Sequence, residues 1–223
     1  VSSEDKESIL DLSVRGYVNG GTNAGAVCGS LKSKSAIVGC CNAATVRGTN
    51  AGGIVGTIND KNTEIKSCVN IGEISGTEKA GGIACWQGKI VSCLSSGYVH
   101  SGKFAYGIAG GGDARECVSA GHVKGEEESV MIGPSKGSNM YDKQMCYGRS
   151  ASGASEKTFE EIQKWTHPDW ASNSGYYPVP KRVEDNVIAK LAAVPVVFTE
   201  DGDLISSVSD SILLKDKCFS GES

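Results

Sequence analysis

The sequence predicts an all-β protein: a right-handed parallel β-helix, or β-solenoid, of about five coils (24–29 residues per coil) with a C-terminal cap containing one short helix. Three observations carry this. Glycine supplies 30 of 223 residues, near twice its usual ~7 %, and 25 of the 30 lie between Gly16 and Gly137. An apolar phrase recurs through that region at near-constant spacing. Each repeat holds several glycines and many β-branched residues, with no stretch of about ten residues at helical periodicity.

The repeat can be followed position by position. Ala-Gly-Ala-Val-Cys-Gly at 24–29 returns as Ala-Gly-Gly-Ile-Val-Gly at 51–56, Ala-Gly-Gly-Ile-Ala-Cys at 80–85 and Ala-Tyr-Gly-Ile-Ala-Gly at 105–110, with a worn copy at 129–134. Its apolar position is Val27, Ile54, Ile83, Ile108 and Ile132, spaced 27, 29, 25 and 24 residues apart. A second phrase, Cys-x-(Asn/Ser)-x-(Gly/Ala)-x-(Val/Ile), begins at Cys40, Cys68, Cys93 and Cys117 and ends at Val46, Ile74, Val99 and Val123. Three residues before each cysteine stands a third apolar position: Ile37, Ile65, Ile90 and Ala114. A repeat this short cannot bury its own apolar face, so neighbours must stack and share a continuous core. Three short strands per repeat make a coil, and coils stack at the ~4.8 Å inter-strand distance. Glycines at the corners are expected to supply the positive φ of tight turns.

"AGGIVG" followed by "IKSCVNIGEISG" resembles the GLUG-motif repeats of bacterial surface proteins, including the repeat regions of some secreted IgA-cleaving metalloproteases. "SNMYDKQMCYG" at 138–148, then Trp165, Trp170 and "YYPVP" at 176–180, resembles the way such arrays end. The resemblance covers residues 12–180. It implies an exported module, extracellular or on the bacterial cell surface, noncatalytic and often placed beside immunoglobulin-like domains. The fifth coil departs from the pattern, with Met131 at the motif glycine and an acidic run Glu126-Glu127-Glu128.

Composition excludes several functions. With 22 basic and 26 acidic residues the formal net charge is −4, which offers no basic face for nucleic acid. Aromatics are only 6 %, too few for a base-stacking surface. No run approaches the ~18 apolar residues of a membrane span, so no membrane insertion is expected, and no signal-peptide pattern opens the chain.

Of the nine cysteines, Cys40, Cys68, Cys93 and Cys117 share one repeat position and read as an inward column of small apolar thiols. Parallel Cβ vectors in stacked coils suit a disulfide poorly. No CxxC pair or ligand-spaced histidine suggests a metal, and no cofactor is expected. His100 and His122 flank core positions and are expected to point outward into solvent. Asp60, Asp113 and the consecutive Glu126–Glu128 do not form a converging carboxylate site, so no catalytic residues are assigned. Gly110-Gly111-Gly112 lacks the Lys-Ser/Thr of a phosphate loop. The candidate binding residues are Trp86, Tyr98, Phe104 and Tyr106, all in the third and fourth coils. Rings exposed on a rigid β surface stack on sugars or anchor a partner protein.

Residues 1–140 form the array in this reading and 141–182 the cap that covers its open strand edges. Thr158-Phe-Glu-Glu161 is a capping-box pattern that starts a helix through about Trp165. Residues 183–223 read as an extended tail or the opening strands of a truncated immunoglobulin-like module. Such a sandwich needs about 100 residues, and only 38 follow Asp185. A docked hairpin within 186–216 is expected, with a monomer as the default and intermolecular strand exchange as the alternative. The expected function is adhesion or binding to a host glycan or surface protein, or a spacer role. The alternative is a substrate-recognition or structural region of a secreted enzyme, IgA-protease-like or carbohydrate-active, with its catalytic residues outside this chain.

Overall fold

A computed structural model of the chain describes residues 7–31, 35–60, 62–133, 135, 137–145, 154–198 and 204–207. Three parallel ladders stack into a β-solenoid of about four turns, close to the five expected. The first ladder runs Glu7–Leu10, Ser35–Val38, Glu64–Lys66, Lys89–Val91 and Asp113–Arg115. Its register sets Ile9, Ile37, Ile65, Ile90 and Ala114 above one another. The second, longer ladder stacks Val18, Val46, Ile74, Val99 and Val123. The third joins Cys28–Leu31, Val55–Ile58 and Ala84–Trp86.

These are the apolar columns of the repeat, and from the second coil onward they are dry. Ile37, Ile65, Ile54, Ile83, Ile108, Ile132, Val46, Ile74 and Val99 are all fully buried. Backbone bonds tie each coil to the next, as from Ile54 N to Ile83 O (2.8 Å) and Ile83 N to Ile108 O (2.9 Å). The polar position of the second phrase is buried too. Asn42 Nδ2 donates to Asn70 Oδ1 (2.8 Å), and each Asn accepts from the backbone two residues on, Ala44 N (2.8 Å) or Gly72 N (3.1 Å). An internal amide ladder thus pays the cost of turning the corner by satisfying its backbone.

The corners bear out one expectation only in part: Gly88 (φ 100°) and Gly112 (φ 103°) turn one corner at positive φ, but another corner does so largely without glycine. The left-handed column that precedes the cysteine position is Asp11 (φ 55°), Gly39 (70°), Ser67 (53°), Ser92 (51°) and Glu116 (55°), so glycine occupies it once. The motif glycines serve close approach instead. A Cβ on Gly52 would lie 1.9 Å from the Val55 carbonyl oxygen, and one on Gly81 2.0 Å from that of Ala84. The bend folds so tightly that no side chain fits.

The capping box forms as expected: Glu161 N donates to Thr158 Oγ1 (3.2 Å) and Thr158 N to Glu161 Oε2 (2.8 Å), opening α1 (Phe159–Gln163). Beyond it, the chain departs from a simple end cover. Asn139–Asp142 and Ala154–Lys157 extend the second ladder, after which the chain returns along the outside of the array. The outward stripe Cys41, Val69, Leu94, Val118 and Met140 packs with Ile162, Trp170, Tyr177, Val179, Val183 and Ile188 in one cluster. The return reaches the first coil, where Arg182 donates twice to Asp11 (2.9 and 2.8 Å) and Asn186 Nδ2 to Ser13 Oγ (2.8 Å).

Within the tail, Val187–Ala192 forms a second helix, α2, rather than extended chain. Asn186 caps it, accepting from Ile188 N (2.9 Å), and Ile188, Ala189 and Ala192 form its buried face. Val196–Phe198 then pairs antiparallel with Leu204–Ser207, a hairpin whose first strand starts just after Pro195. Cys146, Cys218 and the remainder of the 186–216 reading lie outside the described residues.

Candidate functional site

The four candidate aromatics occupy different surroundings. Trp86 closes the third ladder, in register with Thr57, and is half-buried. Lys79 Nζ sits 4.2 Å from its ring centroid, a cation–π contact that holds the indole in place. Tyr106 lies 6.3 Å from Trp86 at a 60° tilt but is itself buried, at 6 % exposed. The expectation of an exposed Tyr106 is therefore corrected. Its register explains why: it stands where Gly81 stands one coil earlier, and its ring fills the space beside Gly110. Burial, with the Glu128 and Cys85 charges secondary, pushes its hydroxyl pKa up. Phe104 is half-buried, in register between Lys79 and Glu128.

Tyr98 belongs to a different constellation, on the outward face of the second ladder. Its ring stacks on His100 (4.7 Å, 18°) and on His122 (5.3 Å, 19°). His100 Nε2 lies 3.0 Å from Glu73 Oε1, and Arg47 reaches the same oxygen at 3.6 Å. Arg47 also covers the Tyr17 ring at 5.6 Å. A cleft of about 280 Å³ opens at the far end, lined by Tyr98, His100, Ser101, Gly102, Lys124 and Glu126. His100 is half-exposed as expected, but His122 is 1 % exposed. It does point outward from the core, yet the stacked Tyr98 ring closes over it.

One cluster was not legible in the sequence. Glu116, His167 and Asp169 bring their ligand atoms within 4.8 Å of one another, joining the corner column to the returning chain. The hydrogen bonds do not fit a metal. Asp169 N donates to His167 Nδ1 (3.2 Å), so the Nε2 facing Glu116 at 3.6 Å carries the proton. A metal-bound imidazole needs the reverse, with its second nitrogen donating outward. Lys66 Nζ meets Asp169 (3.6 Å), and Ser92 Oγ donates to Glu116 (3.1 Å). The cluster is a clasp of polar contacts with one ion pair, Lys66–Asp169.

The remaining candidates have structural roles. Asp113 pairs with Arg115 (2.7 Å), and Asp60 accepts from Asn62 N (2.7 Å). Gly112 packs against the Gly88 carbonyl at a positive φ. The seven described cysteines are free thiols, and Cys40, Cys68, Cys93 and Cys117 are fully buried. A thiol bond with Cys68 and burial raise Cys40 well above the ordinary thiol range, and burial raises Cys93. Burial pushes Cys41 and Cys85 up to about 12. Raised in this way, Cys40, Cys41, Cys85 and Cys93 are not poised as nucleophiles.

No protein-family model and no curated protein matches the sequence. Among solved structures, the chain is similar to a Bacteroides ovatus protein described as a "putative immunoglobulin A1 protease", with 21 % identity and a TM-score of 0.50. The likeness covers 79 % of this chain and spans 58 % of the length of that one, and it is a likeness of fold.

Proposed function

We propose that this solenoid is a noncatalytic binding module of an exported bacterial protein, of the GLUG-repeat kind, displaying side chains on a rigid surface to a host glycan or surface protein. The observation that carries this reading is the presentation of half-buried aromatic rings on a stacked-coil scaffold, with Trp86 held under Lys79 and Tyr98 held between imidazoles. Rings immobilised before binding lose little entropy when a ligand arrives. A second reading, a recognition region within a secreted enzyme whose catalytic residues lie elsewhere, draws support from the fold shared with the Bacteroides ovatus protein. A glycan-array and mucin-retention screen of the purified chain tests the proposal. Retention is expected, and at least one of Trp86→Ala and Tyr98→Ala should weaken it about tenfold with little change in melting temperature. Absence of retention on glycans, mucins and immunoglobulins alike would refute the binding module.

A further inference from the structure

The outward face of the second ladder carries more than Tyr98. Period-2 alternation sends every residue flanking the core column Val18, Val46, Ile74, Val99 and Val123 to the outside. Parallel register then stacks these residues into two rows. One row is Tyr17, Thr45, Glu73, Tyr98 and His122; the other is Asn19, Arg47, Ser75, His100 and Lys124.

Side chains along the rows interlock. Arg47 bridges Tyr17 and Glu73, Glu73 meets His100, and His100 stacks on Tyr98. The strip nevertheless faces water, with Tyr17 57 % exposed and the Arg47 and His100 side chains 51 % and 31 % exposed. It ends in the open cleft beside Lys124 and Glu126. Five coils at ~4.8 Å per step make the strip roughly 19 Å long.

From this geometry we infer that the strip binds an extended oligosaccharide laid parallel to the solenoid axis, about one sugar ring per coil. The inference rests on the binding-module reading and names its ligand class and site. The coil spacing is close to the length of one pyranose in an extended chain, so successive sugars can meet successive coils. Tyr17 and Tyr98 offer flat faces to the C–H face of a sugar. Arg47, Glu73 and His100 offer planar donors and acceptors suited to adjacent hydroxyls. Their mutual contacts hold them in place beforehand, which lowers the entropy lost on binding. A protein interface would need an apolar centre, and the centre of this strip is the charged pair Arg47 and Glu73, with rings to either side.

The test is calorimetric titration with three linear hexasaccharides of defined linkage: cellohexaose, chitohexaose and hexagalacturonate. At least one should bind, with affinity rising from the disaccharide to the tetra- or pentasaccharide and then levelling. Arg47→Ala and His100→Ala, both half-exposed side chains, should each weaken binding about tenfold while leaving the melt unchanged, and Trp86→Ala should have no effect. Failure of all three sugars, or affinity independent of chain length, overturns the inference. So does binding lost in Trp86→Ala but kept in Arg47→Ala, an outcome that leaves the binding-module reading standing at the Trp86 corner. Silence toward these sugars together with failure of the mucin screen removes both.

Discussion

Single residues in this array gain their meaning from the residue one coil away. Asn42 and Asn70 satisfy each other and the bends they sit in, but the next two coils have Ser95 and Ser119 at that position, and both hydroxyls are buried without a hydrogen-bond partner. A buried polar group left unmet costs about 1–3 kcal/mol. Ser95→Ala is therefore expected to stabilise the fold by about 1 kcal/mol in denaturant melts. Asn70→Ala should cost about 2–3 kcal/mol, because it leaves the Gly72 N–H and one of the two Asn42 Nδ2 protons without an acceptor, the other staying on the Ala44 carbonyl. The cysteines follow the same logic of column membership. Thiol-reactive reagent should modify Cys28, the one partly exposed thiol among the described cysteines, well before Cys68, Cys93 and Cys117, which should react only on unfolding. Mass spectrometry of quenched samples reads the order, and disulfides linking those three positions would contradict it.

Among the elements, the returning chain is where pH acts. Asp142 ends the array strand at 1 % exposure. Burial raises its carboxyl pKa, partly offset by donation from Tyr177 Oη and Gln144 N. The folded state therefore holds this proton to higher pH than the unfolded chain does. Its contribution is full below the ordinary carboxylate value and declines as pH rises through the raised one. Asp142→Asn keeps an acceptor for Tyr177 and removes the buried charge. It should raise the melting temperature at pH 7 and flatten the stability profile between acidic and neutral pH. A variant less stable than the parent at pH 7 would show that the charged hydrogen bond outweighs its desolvation. The ionic contacts at Asp11–Arg182 and Lys66–Asp169 are largely exposed and orient the return more than they stabilise it.

For the whole molecule, the return couples coils that would otherwise depend only on their neighbours. A bare solenoid can fray from either end. Here the cluster joining Cys41 in the second coil to Met140 in the last runs beneath Ile188 and Trp170, and Arg182 reaches Asp11 across 171 positions of sequence. Thermal unfolding should therefore be one transition. Ile83→Asp, which puts an unpaired charge into the centre of a fully buried column, should abolish it at a cost of at least about 4 kcal/mol. Ile188→Asp should instead split the melt, with the first coil losing amide protection before the centre. A single unshifted transition in Ile188→Asp would mean that the return does not couple the ends.

The periodic part of this protein was determined by its sequence. Val27, Ile54, Ile83, Ile108 and Ile132 specify a stacked β-coil because a column repeats the same physical demand at every turn, and repetition is visible in one dimension. Thr158 and Glu161 specify α1 because a capping box closes within four residues. Tertiary structure alone decided the rest. Tyr106 is buried because it inherits a glycine position and Gly110 leaves it room. His122 is covered by a ring one coil away, and Glu116 finds His167 only because the chain doubles back. Such contacts join positions with no common period, between side chains of differing type, so each is fixed by where folding brings the backbone and leaves no recurring signal in the order of residues.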